Sequence, residues 1–121
     1  MKSTTSIGRR GEDIAASWLS AHGYVIVTRN YRRRFGEIDI VARQDDCLVF
    51  IEVKTRSSRK FGTPLDAVTF KKQQQLSLIA GDYLVRHNMT DMLCRFDVVS
   101  VTLAAGRPPK VDIIVNAFEA L

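Results

Sequence analysis

The stretch GEIDIVARQDDCLVFIEVKTR, Gly36 to Arg56, alternates apolar and polar residues in the manner of two strands joined by a short connection, RQDDCL. Among residues suited to packing a sheet it carries Glu37, Asp39, Glu52 and Lys54. Side chains alternate faces along a strand, so Glu37, Asp39 and Val41 are expected on one face and Ile38 and Ile40 on the other. On the second strand Phe50, Glu52 and Lys54 share a face. A register pairing Arg43 with Leu48 sets Asp39 opposite Glu52 and Glu37 opposite Lys54, with Cβ atoms about 5 Å apart. A slip of one residue would put the acids on opposite faces.

Burying an unpaired carboxylate costs several kcal/mol, and two side by side cost more unless positive charge sits between them. A solvated hairpin face carrying surface ion pairs would explain the four residues without function, since antiparallel sheets commonly have one wet face. Against it, Glu52 and Lys54 interrupt CLVFIEVKT, whose neighbours on both faces are large and apolar, and a long helix follows that must fold back over the sheet. Two carboxylates with neither His nor Cys beside them suit magnesium or manganese better than zinc.

The 121 residues form one domain with room for a core, and 45% hydrophobic with 26% charged residues exclude a disordered or coiled-coil chain. Residues 1–6 are expected to be flexible. No apolar run approaches the ~20 residues that span a bilayer, and the start MKSTTSIGRRGED lacks the apolar middle of a secretion signal, so the expected location is the cytoplasm, with no membrane partner. Cys47 and Cys94, without CxxC spacing, are expected to be reduced, half-buried and without function. The net charge of +5 is uneven: residues 1–60 hold 12 basic and 7 acidic side chains, residues 61–121 hold 6 of each. The excess gathers in RNYRRRFG (Arg29, Arg32, Arg33, Arg34) and KTRSSRKFG (Lys54, Arg56, Arg59, Lys60), on either side of the hairpin and each with an aromatic residue. Such clusters attract polyanions by counterion release, and phosphate contacts position without specifying sequence. The plainer alternative is a loop kept soluble by its charge.

Element order reads helix, three strands, helix, two strands, an α+β chain. The first helix is expected from about Gly8 to His22, capped by Ser6 or a neighbour, with Ile14, Ala15, Trp18 and Leu19 as its stripe and Glu12 near its start. YVIVTR is a short strand. Pro64 is expected to open a helix reaching His87, its stripe being Val68, Leu76, Ile79, Ala80, Tyr83 and Leu84, with Gln73 on the core-facing side. RFDVVSVTL and VDIIVNAF are the last strands, around the turn AAGRPPK. His22 and His87 each fall in the last turn of a helix, where an imidazole suits the helix dipole.

Asp39…Glu52-Val53-Lys54 resembles the signature of the PD-(D/E)XK nuclease superfamily, with Ile38 where the signature has proline. More closely, GRRGEDIAASWLSAHGY, RNYRRRFGEIDIVA, FIEVKTRSS, FGTPLDAV, KKQQQL and CRFDVVSV together resemble the YraN-like family of small bacterial proteins, from about Gly8 to Val101. That family is similar to Holliday-junction resolvases and shares the restriction-endonuclease-like fold. The resemblance implies an α-β-β-β-α-β core and a mixed sheet flanked by helices, here with an extra C-terminal strand. It implies Asp39, Glu52 and the Val53 carbonyl as ligands of Mg²⁺ or Mn²⁺, Lys54 as the catalytic lysine, and Glu12 as the acid from the first helix. Lys72 and Gln73 stand where the second helix often carries a polar residue, Lys72 toward nucleic acid and Gln73 toward the site. Glu37 could neutralise Lys54 or reach a second ion. The implied activity is that of an endonuclease on structure-selective DNA, with RNA left open. A domain of this kind would form a homodimer to address two strands, though no dimer face is legible. The alternatives are a catalytically silent nucleic-acid-binding module of the same fold and a protein-interaction adaptor.

Overall fold

The computed structural model describes residues 6–57 and 68–120. In chain order the elements are α1 (Ser6–Ala21), β1 (Val25–Arg33), β2 (Gly36–Gln44), β3 (Cys47–Arg56), α2 (Phe70–Arg86), β4 (Leu93–Thr102) and β5 (Lys110–Phe118). The strands form one mixed sheet in the order β1-β2-β3-β4-β5. Only β3 and β4 run parallel, from Cys47↔Leu93 to Arg56↔Thr102, because a helix-length crossover, α2, joins them; two-residue turns join β1 to β2 and β2 to β3, and a longer loop joins β4 to β5. The helices cover opposite faces. Ala15 and Leu19 of α1 pack with Ile40, Ala42, Val49, Ile51 and Val53; Leu76, Ile79, Ala80 and Tyr83 of α2 pack with Val41, Leu48 and Phe50. Both faces of β2 and β3 are therefore dry, and the solvated hairpin face does not exist.

The expected register holds: Arg43 pairs with Leu48, and the ladder runs from Gln44↔Cys47 to Ile40↔Ile51. It ends there, which corrects two expectations. Ile38 and Ile40 do not share a face, since Ile38 packs with the α2 cluster and Ile40 with the α1 cluster. Glu37 does not face Lys54; it pairs with Arg32 across β1–β2 and meets its guanidinium at 3.4 Å. The cause lies one strand away, at Asn30. This residue adopts φ 55°, a left-handed conformation that asparagine tolerates better than most, and it stands between the pairs Arg29↔Ile40 and Tyr31↔Ile38. The strand pair turns there, so that Arg29 reaches Asp13 of α1 at 2.8 Å while Tyr31 meets the Tyr83 ring of α2 at 5.0 Å.

β1 runs to Arg33, beyond the expected YVIVTR, because the pairs Arg32↔Glu37 and Arg33↔Gly36 prolong the ladder up to the turn. α1 already includes Ser6, which is helical rather than a cap or a flexible end. α2 starts at Phe70, with Thr69 Oγ1 accepting from Lys72 N at 3.1 Å; the expected Pro64 start lies outside the described residues, and Val68 precedes the helix. His22 Nδ1 lies 2.7 Å from Trp18 O and His87 Nδ1 2.9 Å from Tyr83 O, closing the two helices as expected. Both cysteines are free; Cys47 is half-buried, but Cys94 is exposed.

α1 docks on β3 through Gly11, where a Cβ would stand 1.9 Å from Thr55 Oγ1. Gly11→Ala should therefore push the helix off the strand and cost about 1–3 kcal/mol, as overpacking does. A urea midpoint equal to the wild type would refute that close approach.

Candidate active site

Three links position the acids. Where β2 leaves β3, the Asp39 carboxylate accepts a hydrogen bond from Val53 N at 2.8 Å and replaces the missing ladder partner. Asp39 and Glu52 are 4% and 7% exposed, and Asp39 lies within hydrogen-bonding reach of the Glu52 carboxyl. Lys54 Nζ, two residues along the strand, and Lys72 Nζ, from the first turn of α2, approach the same Glu52 Oε2 at 3.5 and 3.4 Å. Burial raises the Glu52 carboxyl to about 7; the Asp39 charge pushes the same way, and the Lys72 and Lys54 ammoniums pull it back. An acid so desolvated against a second acid is a site of cation demand that the two lysines meet only in part.

Glu12, also buried, lies in α1 with Arg29 Nη2 at 3.6 Å from its Oε1, and it is not among the main charges acting on Glu52. Gln73 turns back to donate to Val68 O at 3.3 Å. Lys72, which stands with Gln73 at the expected polar position of the second helix and which the sequence points toward nucleic acid, is thus the one of the two that reaches the acids. Arg29, which the sequence groups with Arg32–Arg34 in one basic cluster, does not line the cleft described below with them; it ties α1 to β1 through Glu12 and Asp13.

Among the described residues no three His, Cys, Asp or Glu side chains gather to hold a metal ion. Asp39 and Glu52 could hold a hard cation that retains several waters, as magnesium does.

Beside the acids a cleft of about 470 Å³ opens between the β1–β2 turn and α2, lined by Arg32, Arg33, Arg34, Glu37, Lys72 and Gln75 among others. It is braced from α2: Gln75 Nε2 donates to Phe35 O at 3.3 Å, and Asp82 accepts from Tyr31 OH at 2.6 Å and holds Arg33 Nε at 3.6 Å. Arg56, at the end of β3, stands at the same end of the sheet, while Arg59 and Lys60 lie outside the described residues.

The family model described as "Uncharacterised protein family UPF0102" matches residues 11–101, which include both acids, both lysines and the arginines of the cleft. The chain belongs to the UPF0102 family. A UPF0102 protein of Geobacter sulfurreducens is 48% identical over 113 residues, covering 93% of this chain and 88% of that one. One from Rhodococcus opacus is 41% identical over 118 residues, 98% of this chain and 100% of its own, and one from Symbiobacterium thermophilum 46% over 114, or 94% and 97%. UPF0102 is the YraN family that the motifs suggested. Among the described residues no helix is long and apolar enough to cross a membrane.

Proposed function

We propose that this UPF0102 protein is a metal-dependent nuclease of the PD-(D/E)XK type, hydrolysing phosphodiester bonds in structure-selective DNA. The observation that carries the reading is the buried Asp39–Glu52 pair with two ammoniums on one carboxylate oxygen, opening beside an arginine-lined cleft. A structural acid looks different. Asp97, 1% exposed, is satisfied by Tyr24 OH at 2.9 Å, Arg95 Nε at 3.0 Å and Asn116 N at 2.9 Å, and faces no second carboxylate among them.

Asp39, Glu52 and the Val53 carbonyl would hold Mg²⁺ or Mn²⁺, which supplies Lewis-acid polarisation of the scissile phosphate and acidifies a water. The Arg32–Arg34 guanidiniums hold the phosphate backbone in the cleft. Lys72, lining that cleft and touching Glu52, joins the two and orients the scissile group. Lys54, released from Glu52 as charge is redistributed, stabilises negative charge developing on phosphorus or positions the attacking water. The Asp39 bond to Val53 N fixes the carboxylate so that little reorganisation is needed.

The test is incubation of linear, nicked, flapped and four-way DNA with the protein and Mg²⁺ or Mn²⁺, with chelator as control. Metal-dependent cutting of the branched substrates supports the proposal. Binding without cutting of any member would make the chain a silent binding module, and negligible affinity even at low salt would leave the adaptor reading.

A further inference from the structure

The parallel β3–β4 pair brings the exits of β1, β3 and β4 and the starts of β2 and β5 to one end of the sheet, and both helices begin there. Among the described residues every Lys and Arg except Arg29, Arg43, Arg86 and Arg95 lies at that end, whereas the β2–β3 turn at the far end carries Asp45 and Asp46. The charge asymmetry thus runs end to end in space, and the second half of the chain, which carries no net charge, contributes to it.

A second cleft, of about 350 Å³, opens at this end on the α1 face, between the start of α1 and the β4–β5 loop. Arg10 and Arg107 line it together with Ile7, Leu103, Ser57 and the small residues of the β4–β5 loop, so among its described lining residues no acid competes for the guanidiniums. The clefts lie on opposite faces of the sheet and two to three strand spacings, ~10–14 Å, apart along the sheet order, with the end of β3 between them. The direct separation is therefore at least that large, enough to set the two clefts on different backbones across a groove ~12 Å wide. Only the α2-side cleft adjoins the acids. Arg10 and Arg107 fall outside residues 11–101, so this reading belongs to the chain rather than to the family match.

Resting on the nucleic-acid reading above, we propose that the substrate is double-stranded, one strand lying in the Arg32–Arg34 cleft and the uncut partner strand in the Arg10/Arg107 cleft. The protein straddles the duplex with the end of its sheet. Both new contacts come from exposed side chains, so their removal leaves the core intact.

Binding of a short duplex and of its separated strands, followed by fluorescence anisotropy across a salt series in chelator, tests this. The double variant Arg10→Ala, Arg107→Ala should bind the duplex more weakly, with a salt slope smaller by about two, and bind single strands as the wild type does. The triple variant Arg32→Ala, Arg33→Ala, Arg34→Ala should weaken both substrates. An unchanged duplex slope in the double variant, or equal losses on duplex and single strand, would overturn the two-cleft proposal while the triple variant's loss leaves the first reading intact. A wild type that binds neither substrate at low salt would remove both readings.

Discussion

In chelator, Asp39→Asn is expected to be more stable than the wild type and Asp39→Ala less stable. Both substitutions remove the charge that opposes Glu52, but they differ at the hydrogen bond. The asparagine side-chain oxygen can still accept from Val53 N, which bonds Asp39 at 2.8 Å, whereas alanine leaves that donor unpaired at a cost of about 1–3 kcal/mol. The expected gain of Asp39→Asn depends on pH in a fixed direction. The folded Glu52 carboxyl sits at about 7, above its ordinary 4.5, so the folded protein retains a proton that the unfolded chain releases over that interval. The associated stability is present below 4.5 and lost as pH rises through 7, roughly 3 kcal/mol in all. The groups setting the loss are Asp39, which enlarges it, and Lys54 and Lys72, which reduce it. Denaturation of the wild type in chelator should therefore show a falling midpoint between pH 5 and 8, shallower in Asp39→Asn. Added Mg²⁺ should reverse the order at pH 8. A cation binding only the folded form contributes about 1.4 kcal/mol at ten times Kd, or about 4–8 °C in a domain of this size, and the wild type alone should gain it. Equal responses from both proteins would show that the carboxylates do not form the cation site.

What could be read from the chain, and what could not, separates by the range of the interactions involved. Alternation and the short RQDDCL connection are local, and they were enough for the β2–β3 register and for recognising Glu52 as an acid in a buried run. The same signal was available at Asp97, in RFDVVSV, but an acid in an apolar strand does not announce whether a cation and a tyrosine already satisfy it. The faces of Ile38 and Ile40 depended on one left-handed residue in the neighbouring strand, Asn30, and asparagine's tolerance of φ > 0 is only a preference. Helix phase decided between Lys72 and Gln73. With the cap at Thr69, Lys72 falls in the first turn over Glu52 while Gln73 folds back on Val68. The basic end was invisible to a count by halves, since Arg34 and Arg107 are brought to one end only by the crossover through α2.

On a substrate that the wild type cuts, Lys54→Ala and Lys72→Ala should fail in different ways although both ammoniums touch the same Glu52 oxygen. Lys54 is carried by β3 next to the acids and does not line the arginine cleft, so its charge serves the reacting phosphate. Removing one such preorganised charge typically costs 10²–10³ in kcat. Lys54→Ala should show that loss with KM and duplex affinity nearly unchanged. Lys72 lines the cleft, so Lys72→Ala should raise KM and reduce the salt slope of binding by about one as well as slow turnover. Asp39→Asn and Glu52→Gln should abolish metal-dependent cutting while binding DNA at least as tightly as the wild type in chelator, because each removes a negative charge beside the phosphate path. Equal cutting by Lys54→Ala and the wild type would take that lysine out of the chemistry. Cutting that survives Glu52→Gln in the same preparation would assign the activity to another protein, because nothing else described near the cleft combines a buried carboxylate pair with a backbone donor holding it in place.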